Sequence, residues 1–264
     1  MLLYAGDEIA DYTVVKLLNE SAMSEIYLVS KSNKFFALKI AANKGRMTLF
    51  NEYCICSHCC RLQQKDDASR IAIQSVYFYG DLPVESKQAQ FFLVIEYMQS
   101  TLLQQKHLYL QNYPEILELC KKGLKGLQYL HQCGYVHGDV KPENIMCREK
   151  EQWKFIDFGL AQKIPSKNRA VKGFSAGTPR YASIRVHEGN EPTCRDDVES
   201  WLYSILYLYL GTLPWQYELD REQVMEMKRN SIPFFTAKLP DSRLCFLLQT
   251  TRMIGFHQLP LYDL

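Results

Sequence analysis

His137-Gly138-Asp139-Val140-Lys141-Pro142-Glu143-Asn144, followed by Asp157-Phe158-Gly159, decides the fold of this sequence. It puts a carboxylate, an ammonium and a carboxamide in one short loop and adds a second carboxylate downstream. An accidental run of charges does not explain two linked strings of this kind. Upstream the chain reads as strands. Tyr12–Leu18, Glu25–Ser30 and Phe35–Ala41 are rich in β-branched and aromatic residues, and Lys31-Ser32-Asn33-Lys34 is a polar turn. Met47–Leu62 predicts a helix, and Ala72–Tyr79 and Gln90–Tyr97 predict two further strands. From Ser100 the pattern turns helical. Pro114 fits a first helical turn, and Leu117, Cys120, Leu124 and Leu127 recur at spacings of three and four. Two short strands are predicted between Asn144 and Phe158. Asp196–Leu210 is apolar on nearly every side, which means a helix buried all round, with Gly211 placed to cap it. The fold class is therefore α+β, with a small β-rich lobe over residues 1–97, a larger helical lobe over 98–264, and a cleft near residue 97.

Composition excludes several alternatives. The formal net charge is +2, from 31 basic and 29 acidic residues, so nothing pulls the chain strongly toward nucleic acid or an anionic membrane. Trp201–Tyr217 is charge-free but holds Gly211 and Pro214 and falls short of the roughly 20 apolar residues of a span, so it reads as core. Met1–Leu18 lacks a basic start followed by an apolar stretch, which predicts no secretory signal. The nine cysteines are then expected to stay reduced in a cytoplasmic or nuclear protein. Cys54, Cys56, His58, Cys59 and Cys60 form a dense cluster. Structural zinc draws on two separated knuckles, whereas Ile55, Cys56 and Cys59 fall on one helical stripe, so buried thiols are the better reading.

Phosphoryl transfer asks little covalent chemistry of a protein: a carboxylate to orient the attacking hydroxyl, metal ligands, and cations facing the phosphates. Asp139 suits the first role, Asn144 and Asp157 the second and Lys141 the third. Mg²⁺ is hard and takes few protein ligands, so one Asn and one Asp suffice. In this order the two strings resemble the catalytic loop and metal-binding motif of eukaryotic protein kinases. The resemblance implies a bilobal protein-kinase fold, ATP and Mg²⁺ as cofactors, and a monomer that phosphorylates Ser or Thr of protein substrates. Phe35-Phe36-Ala37-Leu38-Lys39-Ile40 is similar to the kinase strand ending in the phosphate-binding lysine, and Glu52 falls where the family keeps that lysine's glutamate partner.

Gly177-Thr178-Pro179-Arg180-Tyr181-Ala182-Ser183-Ile184 is similar to the string that casein kinase 1 relatives carry in place of Ala-Pro-Glu. Arg195-Asp196-Asp197-Val198-Glu199-Ser200, Leu213-Pro214-Trp215-Gln216 and Arg252-x-Ile254-x-Phe256-x-x-x-Pro260-x-Tyr262 extend the likeness from about Tyr12 to Tyr262. It implies that Asp197 anchors the catalytic loop and that Arg180 receives a phosphate or acidic group on primed substrates. For the nucleotide it implies Ile95 as gatekeeper, Glu96 and Met98 as hinge, Ala37 above and Met146 below the base, and Ile26 and Ile156 among the lining residues.

Three departures stand out. Where the family has G-x-G-x-x-G, this sequence has Asn19, Ser21 and Ser24, flanked by Glu20 and Glu25. Glycines let amides approach phosphates at positive φ, so weaker ATP binding is expected and a pseudokinase is the alternative. Gly138 replaces the arginine that pairs with a phosphorylated activation loop, as also happens in vaccinia-related kinases. A phosphate on Ser166 or Ser175 then lacks its usual partner unless Lys163 or Arg169 takes over. Beyond Trp215 the chain is short, and no helper for Arg180 is evident in Tyr217-Glu218-Leu219-Asp220.

Overall fold

A computed structural model describes residues 3–21, 24–42, 45–62, 70–82, 90–148, 152–167, 177–256 and 258–264. Ser175 and Arg169 lie outside them. The first lobe is a curled antiparallel sheet with one main helix. Its strands are β1 (Glu8–Ile9), β2 (Tyr12–Glu20), β3 (Glu25–Lys31), β4 (Lys34–Ala42), β6 (Val76–Asp81) and β7 (Gln90–Glu96), in the order β1-β2-β3-β4-β7-β6. The register pairs Ile26 with Lys39 and Ala37 with Ile95. Because side chains alternate along a strand, all four fall on one face, toward the helical lobe. Helix α1 (Arg46–Leu62) buries a stripe of Leu49, Glu52, Ile55, Cys56 and Cys59, with Leu49 packed on the same sheet and Ile55, Cys56 and Cys59 in the core of the helical lobe. Cys54 and His58 point outward, and no metal-ligating group of three or more occurs among the described residues. Burial pushes the Cys56 thiol well up, as expected of an inert packed sulfur.

The predicted strand Ala72–Tyr79 divides in two. β5 (Ala72–Ile73) runs parallel to β11 (Trp153–Phe155) of the helical lobe, while β6 joins the first sheet. The break is tertiary in origin. Ile71 and Ile73 are 1% exposed within the helical lobe's core, and Gln74 N–H donates to Phe155 O at 3.0 Å. One alternating sequence stretch thus serves both lobes and moors them behind the cleft.

In the helical lobe, α2 (Tyr113–Gln132) and α4 (Cys194–Leu210) form the centre. Nearly every residue of α4 is buried, and it ends at Gly211 with φ 84°, the left-handed cap glycine favours. Thr193 and Asp196 close its other end with a capping box. A Cβ on Gly123 would sit 2.2 Å from the Trp201 ring, so α2 and α4 approach closely only because that residue is glycine. Around them lie α3 (Ile184–His187), α5 (Arg221–Arg229), α6 (Ile232–Lys238) and α7 (Arg243–Met253). β8 (Ser100–Thr101) and β10 (Ile145–Cys147) line the cleft, β11 pairs with β10 behind them, and β9 (Tyr135–Val136) pairs with β12 (Gln162–Lys163). Among the described residues no helix is long and apolar enough to cross a membrane.

Candidate active site

The loop that carries Asp139 hangs from α4. Asp197, 2% exposed, accepts the backbone N–H of His137 at 2.7 Å and of Gly138 at 2.9 Å, and lies 2.9 Å from His131 Nε2. His137 is fully buried, packs its ring against Phe158 and places Nε2 3.0 Å from Ile156 O, tying the loop to the Asp157 segment. Gly138 has φ +79°, and a Cβ there would meet Leu160 O at 2.9 Å. The turn needs a residue without a side chain.

The Asp139 carboxylate accepts four hydrogen bonds. Its Oδ1 accepts the Thr178 N–H at 2.8 Å and the Thr178 hydroxyl at 2.9 Å; its Oδ2 accepts Lys141 Nζ at 2.5 Å and Asn144 Nδ2 at 3.1 Å. Lys141 also donates to Thr178 Oγ1 at 2.8 Å. Thr178 is therefore part of the site. Its string is recognisable in the sequence but its role is not, because nothing local shows that it returns to residue 139. Gly177 makes the return possible at φ +78°, where a Cβ would lie 2.9 Å from Gly138 O.

Across the cleft, Lys39 Nζ donates to Glu52 Oε2 at 2.9 Å and Asp157 Oδ1 at 2.8 Å. Burial opposes the Lys39 charge, yet Glu52 and Asp157 together raise its pKa above the ordinary value. Burial also opposes the Asp157 charge, but Lys39 holds that carboxyl below its usual range. Glu52, 1% exposed, goes the other way because desolvation exceeds Lys39's pull. Asp157 takes a left-handed backbone, φ 58°, which Asp tolerates better than most residues. Another link sets α1: Asn51 Nδ2 donates to Ala161 O at 2.7 Å, just past Gly159. That contact had no sequence signal.

Between the lobes is a cavity of about 590 Å³, within the size of small-molecule sites. Asn19, Ser21, Ser24, Ile26, Ala37, Lys39, Ile95, Glu96, Met98, Met146 and Ile156 all line it, as do Glu52, Asn144 and Asp157. Asp139 and Lys141 are outside the lining and adjoin it through Asn144. Arg180 is further off, half-buried, with its guanidinium 5.8 Å from the Tyr207 ring and 5.9 Å from that of Tyr181. Behind the hinge Lys154 Nζ meets Glu96 Oε2 at 2.6 Å, so the Glu96 side chain is occupied outside the cavity. The donor set fits Mg²⁺. Asn144 spends Nδ2 on Asp139, leaving Oδ1, and Asp157 spends Oδ1 on Lys39, leaving Oδ2.

The roof departs from a phosphate-binding loop. Ser21 N–H donates to Ser24 O at 2.9 Å, Ser24 N–H donates to Ser21 Oγ at 3.1 Å, and Ser21 Oγ donates to Ser24 O at 2.9 Å. These two amides are satisfied within the turn. Directly below, Glu20 and Glu25 are cross-strand partners, a like-charge pairing that disfavours the hairpin tip.

This fold and this arrangement of Lys39, Glu52, Asp139, Asn144 and Asp157 define a protein kinase. The family model described as the protein kinase domain matches residues 12–244, and the chain belongs to that family. Within it the chain is similar to casein kinase I homologues. A probable homologue from Encephalitozoon cuniculi is 30% identical over 79% of this chain and 65% of its own length. A putative casein kinase I of Caenorhabditis elegans is 40% identical over 40% of this chain and 34% of its own. The chain thus spans less than two thirds of the length of these relatives. The solved structure of vaccinia related kinase 3 superposes with a TM-score of 0.81 at 20% identity, over 99% of this chain and 88% of that one, and shares the fold.

Proposed function

We propose that the chain is a serine/threonine protein kinase that transfers the γ-phosphate of MgATP to protein hydroxyls. The observation that carries this reading is the fourfold-bonded Asp139 beside a cavity into which Lys39, already paired with Glu52, and Asp157 project. Asp139 Oδ2 orients the acceptor hydroxyl and takes its proton as the oxygen attacks phosphorus. Lys141, bonded to both Asp139 and Thr178, places positive charge beside the transferred group. Lys39 holds the α- and β-phosphates, and Glu52 and Asp157 keep it charged. Asn144 and Asp157 would hold Mg²⁺, which when bound neutralises charge across the phosphates. Ala37 and Ile26 cover the adenine, Met146 and Ile156 support it, and the backbone at Glu96 and Met98 bonds it behind Ile95. Residues 1–97 form the nucleotide lobe and 98–264 the substrate lobe, with Arg180 facing acidic or phosphorylated groups on the acceptor. A thermal-shift titration with MgATP and a radiolabel assay on casein test this. A shift and labelled casein, both lost in Asp157→Asn, are expected; labelled casein with no dependence on Asp157 overturns it.

The roof favours a second reading. With Ser21 and Ser24 amides turned on each other, a binding module that presents its surface and does not turn over ATP fits the same fold. No shift at millimolar MgATP would decide for that pseudokinase.

A further inference from the structure

We propose that Lys228 is a positioning residue for the protein substrate: it fixes residues 179–182, the segment past which an acceptor peptide must run to reach Asp139. The inference rests on the kinase reading above. The segment begins directly after Thr178, which is bonded to Asp139, and it carries Arg180.

Lys228 stands on α5 and is 0% exposed. Its Nζ donates to Pro179 O at 2.7 Å and Ala182 O at 2.6 Å, and lies 3.0 Å from His187 Nε2. Two of its donors thus go to carbonyls of one short segment, while His187 Nε2, beside the third, also lies 3.1 Å from Pro179 O. Burial holds the Lys228 pKa well below the ordinary lysine value. Trp215 Nε1 donates to the carbonyl between them, Arg180 O, at 2.8 Å. The carbonyls of residues 179, 180 and 182 are thus each held from below, leaving the Arg180 side chain against Tyr207. The rings of Tyr203 and Trp215 lie 4.9 and 5.3 Å from the ammonium. Among the described residues no carboxylate comes within ion-pair distance of it. Its neighbour Glu199 bonds Tyr203 OH at 2.6 Å and pairs with Arg252 at 3.4 Å.

Packing alone does not require this arrangement. An apolar side chain of equal length would fill the same space without desolvating a charge. What Lys228 adds is directed donors, two of them on one short segment. The string Gly177–Ile184 therefore has its geometry set by a residue remote in sequence, in the part of the chain that follows the shortened loop after Trp215.

The test uses Lys228→Met, which keeps the stem and removes the donors, and Lys228→Arg, which returns donors. For the Met variant the KM for casein should rise about tenfold or more, the worth of one charge-assisted bond, while the KM for ATP stays within about twofold. The Arg variant should recover part of the loss. An unchanged casein KM, or equal rises in both constants, overturns the proposal. Amide hydrogen exchange needs no turnover: residues 181, 182 and 187 should exchange faster in the Met variant, and 137 and 138 should not. Unchanged exchange at 181 and 182 also overturns it. If the parent labels no casein, the kinase reading fails while exchange still decides the role of Lys228. Should the Met variant not fold, Trp215→Phe, which removes the donor to Arg180 O and part of the buried ring but leaves Lys228 in place, takes its place in both measurements. A smaller rise in casein KM is then expected, and no rise refutes the positioning of this segment.

Discussion

Asp139 and Ser21 stand on opposite sides of the cleft, and their hydrogen bonds run in opposite directions. Those of Asp139 reach outward to Thr178, Lys141 and Asn144, while Asp197 anchors its loop from a helix remote in sequence. At the roof Ser21 and Ser24 bond each other across a single turn, four residues of chain. The floor is thus braced from remote parts of the chain, whereas the Ser21–Ser24 bonds at the roof are local. Geometry at the floor should therefore survive changes at the roof, and the two can be perturbed separately.

The largest effect is expected at the floor. Asp139→Asn keeps the shape but weakens the base, so phosphotransfer should fall about 10²-fold or more, as expected for a positioned proton acceptor. ATP affinity should hardly change, because Asp139 lies outside the cavity lining. Equal single-turnover rates for parent and variant would remove Asp139 from the mechanism and break the contrast at its stronger end.

Acid should loosen the floor's surroundings next. His187, 8% exposed, is held at a pKa of about 4, below the usual 6.5, by burial and then by the Lys228 charge. The folded state keeps it neutral, whereas the unfolded chain takes up a proton near pH 6.5. The stability tied to its neutral form is thus complete above pH 6.5 and is lost as pH falls through 4. A shift of this size corresponds to roughly 3 kcal/mol. Urea unfolding between pH 7 and 4 should show that loss in the parent and much less of it in His187→Gln. Parallel curves would show that His187 does not titrate as described.

What could be read in the sequence follows the same division. The loop at 137–144, the Asp157 string and the Lys39 strand were legible because each is a contiguous run whose chemistry is local. The buried stripe of α1 and the all-round burial of α4 were legible from periodicity. Thr178, Asn51 and Lys228 were not, since each acts across 37 to 110 residues of chain with no periodic pattern. The division of Ala72–Tyr79 was hidden for a related reason: its alternation suits a strand in either sheet, and only the pairing with β11 decides. At the roof the absence of glycines was plain, but not that Ser21 would satisfy the turn from within.

A milder change is expected when the roof is rebuilt. Replacing Asn19, Ser21 and Ser24 together by Gly removes the hydroxyl that holds the residue-24 N–H and frees that amide for a phosphate oxygen, while the backbone bond from residue 21 N–H to residue 24 O can remain. One charge-assisted bond gained is worth about 1.5–3 kcal/mol, so ATP should bind roughly tenfold more tightly, less what loop flexibility costs. Isothermal titration with MgATP measures this. If neither parent nor variant binds at millimolar ATP, the cleft is closed for another reason and the pseudokinase reading holds.

The smallest effect should come from removing phosphate. Kinases that need a phosphorylated activation loop use the arginine before the catalytic aspartate to receive it, and here that residue is Gly138, whose φ of +79° and closeness to Leu160 O leave no room for a side chain. Helix α1 does not depend on such a contact for its position. Asn51 holds it to Ala161 O at 2.7 Å, Tyr129 OH donates to Cys59 O at 2.5 Å from α2, and Lys39 meets Glu52 at 2.9 Å. These bonds join α1 to both lobes without a phosphate. Protein treated with phosphatase, or made in a host without kinases, should match untreated protein in casein phosphorylation, whereas Asn51→Ala should lower it by about tenfold through the loss of one buried bond. A large loss after phosphatase would instead give Lys163, on β12 and exposed, the role that Gly138 gave up, and would extend the outward bracing of the floor to a modification on the loop.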